Sequence, residues 1–362
     1  MTLSVAAFLI LGLVVMIWGA DFLVKGASRL ATSVGISPLV VGLTVVAFGT
    51  SAPELAVSVM SAFKGESDIA LGNVVGSNLC NVLFILGISA LIVPLVVAQQ
   101  LVRFDVPVMI GLSILVLPMG MDGKIGRLDG AILFTFAIAY TVFLVRQSRE
   151  ETSEEVKSEY DAEYGGKPAY GLAKNVGFII VGLVFLVLGS KWLVSSAVAI
   201  AQAFHVSELV IGLTIVALGT SMPEVATSIV AALKGERDIA VGNVVGSNIF
   251  NLVSVLGLSS LVAPAGIEVS DAALRFDIPV MIAVAVACLP IFFTGYRISR
   301  LNGAAFLFFY AAYLVYLILT ATQHEAVGTL RVAMLYFILP ITALTLIVIT
   351  VREVTLKKKS LS

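Results

Sequence analysis

Charged side chains are scarce in this chain. Asp, Glu, Lys and Arg together make up 12% of its 362 residues, whereas a soluble domain carries about 25%. Apolar residues fill 59% of the sequence, and the mean hydropathy is +1.07. A chain of this composition cannot cover a water-facing surface with charge, so a soluble globular protein is excluded. We expect an integral membrane protein with the lipid bilayer around it.

Histidine and cysteine are equally scarce, with two residues of each. Cys80 and Cys288 lie in apolar runs, where cysteine is a small core residue, and His205 and His324 fall in loops. We therefore expect neither disulfides nor a nitrogen- or sulfur-ligated metal site. The net charge of −1 provides no basic surface for nucleic acid. Because zinc-protease, serine-hydrolase and phosphate-loop motifs are missing, the sequence predicts neither an enzyme nor a resident cofactor. Its protein partners are unknown from the sequence.

Long apolar runs dominate the rest of the sequence. A helix needs about 20 apolar residues to cross the hydrocarbon core. The runs are too long for barrel strands and do not alternate with a period of two. Eleven runs qualify as candidate helices, at 3–23, 36–63, 69–97, 106–117, 128–145, 176–201, 209–233, 239–262, 278–293, 301–320 and 332–351.

One long polar stretch separates the fifth run from the sixth. It carries seven carboxylates between Glu150 and Glu163, and we interpret it as a linker. The chain then divides into a first transmembrane half (1–146), an acidic cytoplasmic linker (147–171), a second transmembrane half (172–321) and an additional helix with a basic tail (330–362). The carboxylates could also form a regulatory Ca²⁺ site, although EF-hand spacing is missing.

Lys and Arg are distributed unevenly between alternate loops. With the N-terminus outside, the inside loops hold 16 of the 22 basic residues and the outside loops hold 5. Cytoplasmic loops of membrane proteins are enriched in Lys and Arg. We therefore expect an N-terminus outside and a C-terminus in the cytoplasm, in the cell membrane (plasma or inner membrane).

The two halves repeat one another. Residues 42–87 align with 212–257 without gaps, with 29 identities over 46 positions. Each half holds five candidate spans, and an odd number forces the two copies into opposite orientations. The sequence predicts an all-α membrane protein of two inverted-topology five-helix repeats, a ten-helix core, plus one extra C-terminal transmembrane helix. Inverted repeats are typical of secondary transporters.

Each repeat carries one acid deep in an apolar run, Glu54 in the first half and Glu224 in the second. A charge at the centre of a membrane helix costs roughly 2.5–3.5 kcal/mol on insertion scales. Each carboxylate must therefore meet a cation or a proton. The alternative, that both face loop water or an Arg, is disfavoured because those runs contain neither Lys nor Arg at that depth.

A proline precedes each acid and breaks the helix. Pro53 and Pro223 cannot donate to the carbonyls one turn earlier, so we expect freed carbonyls over 47–49 and 217–219. Such carbonyls are tolerated in a membrane only where they face protein or a polar cavity. Hydroxyls crowd the same turn, at Thr50, Ser51, Thr220 and Ser221.

The next run adds further oxygen atoms. Ser77 and Asn81 are four residues apart and share a helix face, as do Ser247 and Asn251. Carboxylates, carbonyls, hydroxyls and amides suit hard cations such as Ca²⁺ and Na⁺, whereas zinc and copper favour nitrogen or sulfur. Two carboxylates are balanced by one Ca²⁺ or by two Na⁺, which is a physical basis for exchange.

These motifs resemble the two signature repeats of the cation/calcium exchanger superfamily, in particular its prokaryotic sodium/calcium exchanger branch. The matching segments are GTSAPE (49–54) and GTSMPE (219–224), each followed by GNVVGSN (72–78 and 242–248). The resemblance covers about ten spans. It implies an antiporter that exchanges sodium for calcium by alternating access around a midplane cation site. In the family the first and sixth helices slide as a pair across the remaining core.

The resemblance also implies the ligands of the transported calcium and sodium ions. The Ca²⁺ ligands would be the carboxylates of Glu54 and Glu224 with the carbonyls of Thr50 and Thr220. The Na⁺ sites would add the carbonyls of Ala47 and Ala217 and the side chains of Ser51, Ser221, Ser77, Ser247, Asn81 and Asn251.

The sequence departs from the family at Asn81 and Asn251, because many relatives have an Asp at one of these positions. Potassium-dependent and some proton-coupled branches rely on that acid, so two amides argue against both ions there. The eleventh helix is a second departure.

A proton- or other-cation-coupled calcium exchanger stays the alternative, and a passive channel or an intramembrane enzyme is a rival class. Asp21 and Lys191 hold matched positions near helix ends, as a switchable ion pair or as interfacial residues.

Overall fold

A computed structural model describes residues 3–150 and 171–361. Residues 151–170, which form most of the predicted linker and carry most of its carboxylates, lie outside the described residues. The interpretation of that stretch as a linker or a regulatory Ca²⁺ site therefore stays a prediction.

The described chain is almost entirely helical. The first half contains α1 (Leu3–Val34), α2 (Pro38–Thr50), α3 (Ala52–Lys64), α4 (Ser67–Ile92), α5 (Leu101–Gly120) and α6 (Arg127–Glu150). The second half contains α7 (Leu172–Ala203), α8 (208–219), α9 (Met222–Leu233), α10 (Arg237–Val262), α11 (Ala273–Phe293) and α12 (Arg300–Ala321). A further helical stretch, α13 (326–361), ends the described chain.

Eight of these helices are long and apolar enough to cross a membrane, counted over the described residues. The chain is an integral multi-pass membrane protein of the all-α class, as predicted. The sequence predicts eleven spans, however. The second run is a bent pair, α2 and α3, with an angle of 48°, and the seventh is divided between α8 and α9, because Pro53 and Pro223 interrupt them. In α13 the apolar part is the short stretch Leu339–Val348.

Short antiparallel strands, which the sequence did not predict, join the loops of the two halves. They are β1 (Leu95–Val96), β2 (Lys124–Ile125), β3 (Ile267–Glu268) and β4 (Arg297–Ile298). β1 pairs with β4 and β2 with β3, so each pair takes one strand from each half. Two residues are too few for a recognisable alternation, which is why the pattern escapes prediction.

α1 and α7 pack against each other in antiparallel orientation through glycines. A Cβ atom on Gly19 would lie 2.6 Å from the Leu186 nitrogen, and one on Gly189 would lie 2.6 Å from the Met16 nitrogen. Small residues allow membrane helices to approach this closely. The other helices surround a centre formed by α4 and α10, where most side chains are buried.

Candidate cation site

The two acids occupy matched positions in the first turn of a helix. Glu54 is the third residue of α3 and Glu224 the third of α9, each directly after a proline. A proline at this point sacrifices no hydrogen bond, because the first N–H groups of a helix have no acceptor within it. The partial positive charge of the helix N-terminus also stabilises a carboxylate. Both side chains are 1% exposed.

Serines at the two helix breaks link the acids across the halves. Ser51 Oγ donates to Glu224 Oε1 at 2.8 Å, and Ser221 Oγ donates to Glu54 Oε1 at 3.0 Å. Each acid is therefore held by the break of the opposite half. The structure thus brings together the two residues on which the predicted site depends most.

Ser77 joins the same cluster from α4. Its hydroxyl donates to Glu54 Oε1 at 3.5 Å and lies 3.3 Å from Ser221 Oγ. The matched Ser247 on α10 is buried, and its hydroxyl has no hydrogen-bond partner among the described residues. Ser77 is therefore bonded into the cluster, whereas a hydrogen bond that would join Ser247 to it is absent among the described residues.

The threonine side chains contact two asparagines to which the sequence analysis gave no role. Thr50 Oγ1 donates to Asn243 Oδ1 at 3.1 Å, and Thr220 Oγ1 donates to Asn73 Oδ1 at 3.4 Å. Asn73 also donates to the Glu54 carbonyl at 3.1 Å. Both asparagines are the second residue of a GNVVGSN segment, so the repeat itself was the signal that could have identified them.

Asn81 and Asn251 reach across the centre as well. Asn81 Nδ2 donates to Asn248 Oδ1 at 3.0 Å, and Asn251 Nδ2 donates to Asn78 Oδ1 at 3.1 Å. Both are 1% exposed, and the Oδ1 atom of each has no hydrogen-bond partner over residues 3–150 and 171–361. Each predicted amide ligand therefore uses its donor end on protein and leaves its acceptor end available.

The backbone carbonyls differ from expectation. Ala47, predicted to have a freed carbonyl, accepts from the Ser51 nitrogen at 3.0 Å and from Thr50 Oγ1 at 3.4 Å. The Gly219 carbonyl accepts from Ser190 Oγ at 2.9 Å. The prolines cost no hydrogen bond within α3 or α9. Across the breaks, Ala47 keeps its ordinary helical donor, Ser51, and the Gly219 carbonyl, which Pro223 cannot reach with an N–H, is satisfied by Ser190. Ala47 is fully buried, whereas its counterpart Ala217 is exposed.

Several buried oxygen atoms of the predicted site residues have no hydrogen-bond partner within the described part of the chain. They are Glu54 Oε2, Glu224 Oε2, Asn81 Oδ1, Asn251 Oδ1 and Ser247 Oγ. Neither acid forms an ion pair with a Lys or Arg among the described residues. Buried carboxylates without such partners demand compensation by a cation or a proton. An all-oxygen donor set of this kind suits a hard cation.

The two halves differ in how tightly the site is covered. A Cβ atom on Gly246 of α10 would lie 2.6 Å from the Leu43 carbonyl oxygen of α2. On the matched Gly76 of α4, a Cβ atom would meet nothing within 4 Å. Ile69 of α4 is 53% exposed, whereas the matched Ile239 of α10 is fully buried. α2 therefore closes over α10, but α8 does not close over α4.

Ionic contacts join α1 to the loop between α9 and α10, on the side where α2 closes over α10. We call this the closed side. Asp21 of α1 pairs with Lys25 at 2.6 Å and with Lys234, which lies between α9 and α10. Ser28 Oγ donates to the buried Glu236 at 3.0 Å. Asp21 does not pair with Lys191, which is exposed. The ion pair considered between those two matched residues is absent from this arrangement.

Comparisons with known proteins agree with this geometry. The family described as sodium/calcium exchanger protein matches residues 4–146 and 174–319. The putative antiporter CaxA of Alkalimonas amylolytica is 39% identical, over 82% of this chain and 92% of the relative. The sodium/calcium exchanger MaX1 of Methanosarcina acetivorans is 33% identical, over 85% of this chain and 97% of the relative.

A solved structure of the sodium-calcium exchanger NCX_Mj, soaked with 2.5 mM Na⁺ and 1 mM Sr²⁺, superposes with a TM-score of 0.74 and 30% identity. The match covers 87% of this chain and 99% of that one. These named relatives are transporters, not enzymes. The family match, the relatives and the fold lead to one conclusion: this chain belongs to the sodium/calcium exchanger family.

Proposed function

We propose that this protein is a secondary active antiporter that exchanges sodium for calcium across the cell membrane. The single observation that carries the proposal is the crossed pair of buried acids. Glu54 and Glu224 are each anchored by a serine of the opposite half, and one oxygen of each carboxylate has no partner among the residues that the structure describes. Their combined charge of about −2 suits one Ca²⁺ or two Na⁺ ions, which would then compete for the same oxygens.

The ligand set follows from the contacts and from the family membership. Ca²⁺ would bind the carboxylates of Glu54 and Glu224 and the carbonyls of Thr50 and Thr220. Na⁺ would also use Ala47 and Ala217 carbonyls together with the side chains of Ser51, Ser221, Ser77, Ser247, Asn81 and Asn251. Five members of this set, Glu54, Glu224, Asn81, Asn251 and Ser247, each have a buried side-chain oxygen without a hydrogen-bond partner among the described residues, which supports the assignment.

The proposed architecture is a ten-helix core of two inverted five-helix repeats, with α13 as an additional helix. The halves are 1–146 and 172–321, joined by a linker at 147–171, and 330–362 form the C-terminal addition. The N-terminus would lie outside and the C-terminus in the cytoplasm. The matched order of helices in the two halves and the exchange of strands between them support this arrangement.

Alternating access is the proposed mechanism. The described arrangement leaves the α4 side of the site open and the α10 side closed. In the proposed orientation, the open side faces outward. Because the two repeats are matched, the opposite arrangement would close α8 over α4 and open α2 from α10. The ions would then reach the same oxygens from the cytoplasm.

Radioactive calcium uptake into proteoliposomes tests the exchange. Vesicles loaded with Na⁺ and diluted into Na⁺-free buffer should accumulate ⁴⁵Ca²⁺, vesicles with the reversed gradient should release it, and vesicles without a Na⁺ gradient should do neither. Uptake under a pH gradient alone would point to proton-coupled exchange. Flux that is indifferent to any counter-ion would contradict the proposal and indicate a channel.

A further inference from the structure

Two asparagines that are not among the expected ligands contact the amides that are. We call Asn78 and Asn248 the rear asparagines. Asn78 of α4 accepts from Asn251 at 3.1 Å, and Asn248 of α10 accepts from Asn81 at 3.0 Å. Both are 2% exposed. Each therefore contacts an expected amide ligand from the opposite half.

The other end of each rear asparagine meets acceptors. Asn78 Nδ2 lies 3.4 Å from the Asn248 carbonyl oxygen and 3.6 Å from Met281 Sδ of α11. Asn248 Nδ2 lies 3.5 Å from Met109 Sδ of α5. A carbonyl oxygen and a thioether sulfur accept hydrogen bonds and cannot donate them. The amide of each rear asparagine must therefore direct its NH₂ group to these acceptors and its oxygen to the ligand amide.

The orientation of each rear asparagine fixes the orientation of the ligand amide that bonds to it. Because Asn78 presents oxygen, Asn251 must present NH₂ to it, and the Asn251 oxygen is left free. The same reasoning fixes Asn81 through Asn248. With the opposite orientation, an NH₂ group would take the place of the oxygen and repel a cation. The sulfur atoms and the rear asparagines thus determine which end of each ligand amide is available.

We propose that Asn78 and Asn248, with Met281 and Met109 behind them, are positioning residues that hold Asn251 and Asn81 as neutral oxygen ligands for Na⁺. The inference rests on the proposed function. It also explains why amides are matched here. An aspartate at 251 would set a carboxylate oxygen against the Asn78 oxygen, and Asn78 could not turn without losing both of its own acceptors.

The test is Asn78→Leu, which keeps the approximate size and removes the acceptor that orients Asn251. The readout is Na⁺-driven ⁴⁵Ca²⁺ uptake by proteoliposomes as a function of Na⁺ and of Ca²⁺ concentration. Loss of a partner that orients a metal ligand weakens metal affinity about 10- to 100-fold. We expect the Na⁺ concentration for half-maximal exchange to rise about tenfold. The Ca²⁺ concentration for half-maximal exchange should change less than about threefold, because the acids hold Ca²⁺.

Two further variants distinguish positioning from a general structural effect. Ser113→Ala on α5 is the matched control, since Ser113 is buried near Met109 but bonds to a backbone carbonyl at 2.8 Å and not to an amide. It should leave both half-maximal concentrations unchanged. In an Asn251→Ala background, Asn78→Leu should have no further effect on Na⁺, since residues that act through one another are not additive.

The outcomes separate the two levels of inference. If the unmodified protein shows no Na⁺-dependent uptake, the proposed function fails. If it exchanges normally, two results overturn only the positioning role. One is that Asn78→Leu leaves the half-maximal Na⁺ concentration unchanged, and the other is that it raises this concentration equally in the Asn251→Ala background. Should Asn78→Leu not fold, Met281→Leu decides the question. It removes only the sulfur acceptor and leaves the Asn248 carbonyl, so it should raise the half-maximal Na⁺ concentration by less than Asn78→Leu does, and an unchanged value would overturn the inference.

Discussion

The contact of α2 with α10 and the contact of α8 with α4 are matched in sequence and different in structure. The same seven residues, GNVVGSN, occupy 72–78 in α4 and 242–248 in α10. In α10 they are buried beneath α2, whereas Gly72 of α4 is exposed and Asn73 is half-buried. Because the two heptapeptides are identical, the difference in burial comes from what packs on them and not from the segments themselves. The proposed alternation predicts that each segment can adopt the environment of the other.

The largest loss of transport should come from neutralising either of the two matched acids. Glu54→Gln and Glu224→Gln each delete one of two buried charges that the site needs to bind a cation. We expect Na⁺-driven ⁴⁵Ca²⁺ uptake to fall to the background of empty vesicles in both variants. The control is Glu66→Gln, which removes the same charge from an exposed loop position and should retain uptake.

This pair of variants also sharpens the comparison. If the asymmetry is only conformational, the two acids are equivalent and both variants lose uptake equally. Substantial uptake by one variant would mean that a single half binds the cation, and the crossed-acid site would then be wrong.

A second pair of variants changes the two contacts directly, that of α2 with α10 and that of α8 with α4. Gly246→Ala introduces a Cβ atom 2.6 Å from a backbone oxygen of α2, whereas Gly76→Ala meets open space. Overpacking of this kind costs about 1–3 kcal/mol. Gly246→Ala should therefore disfavour the described arrangement, and Gly76→Ala should disfavour the opposite one, in which α8 closes over α4. Both should slow exchange, although alanine favours a helix more than glycine does.

Both alanine variants should slow exchange, but they should do so by disfavouring opposite arrangements. Labelling of an introduced cysteine distinguishes the two cases. Ile69→Cys places a thiol where the side chain is 53% exposed, and both native cysteines are buried. A membrane-impermeant maleimide added outside should label it more slowly in Gly246→Ala and at least as fast in Gly76→Ala. Exchange at the normal rate by Gly76→Ala would show that α8 never closes over α4.

The sequence predicted local features well and long-range ones poorly. Pro53 before Glu54 predicts a helix break and a buried acid, because both follow from the chemistry of neighbouring residues. The hydrogen bond from Ser51 to Glu224 joins residues 173 positions apart, and no local pattern encodes it. The unequal exposure of two identical heptapeptides cannot be predicted from sequence at all. The Ala47 carbonyl was misjudged because its helical donor is the Ser51 N–H, which Pro53 leaves in place.

A third comparison concerns the hydrogen bond that joins the last two helices within each half, α5 with α6 and α11 with α12. Tyr140 of α6 donates to the fully buried Asp105 at 2.8 Å, whereas Tyr313 of α12 donates to the half-buried Asp277 at 3.2 Å. Losing a hydrogen bond to a buried group costs about 1–3 kcal/mol, and solvent reduces this at exposed sites. Tyr140→Phe should therefore lower the thermal unfolding temperature in detergent more than Tyr313→Phe does.

The control for this pair is Tyr336→Phe in α13, where the ring is 72% exposed. It should leave the unfolding temperature unchanged. Equal losses in Tyr140→Phe and Tyr313→Phe would show that burial does not distinguish the two bonds.

The smallest effect should come from the ion pair that ties α1 to the closed side. Lys234 and Lys25 both bind Asp21, but Lys25 lies in α1 itself, so only Lys234 links two elements. Both partners of the Lys234 pair are 29% exposed, and a solvated pair contributes about 0.2–1 kcal/mol. Lys234→Gln should slow the labelling of Ile69→Cys about twofold, and Lys25→Gln should leave it unchanged. High salt should abolish the difference because it screens exposed charges. A twofold loss in both variants would assign the effect to the charge near Asp21, not to a bond between α1 and the closed side.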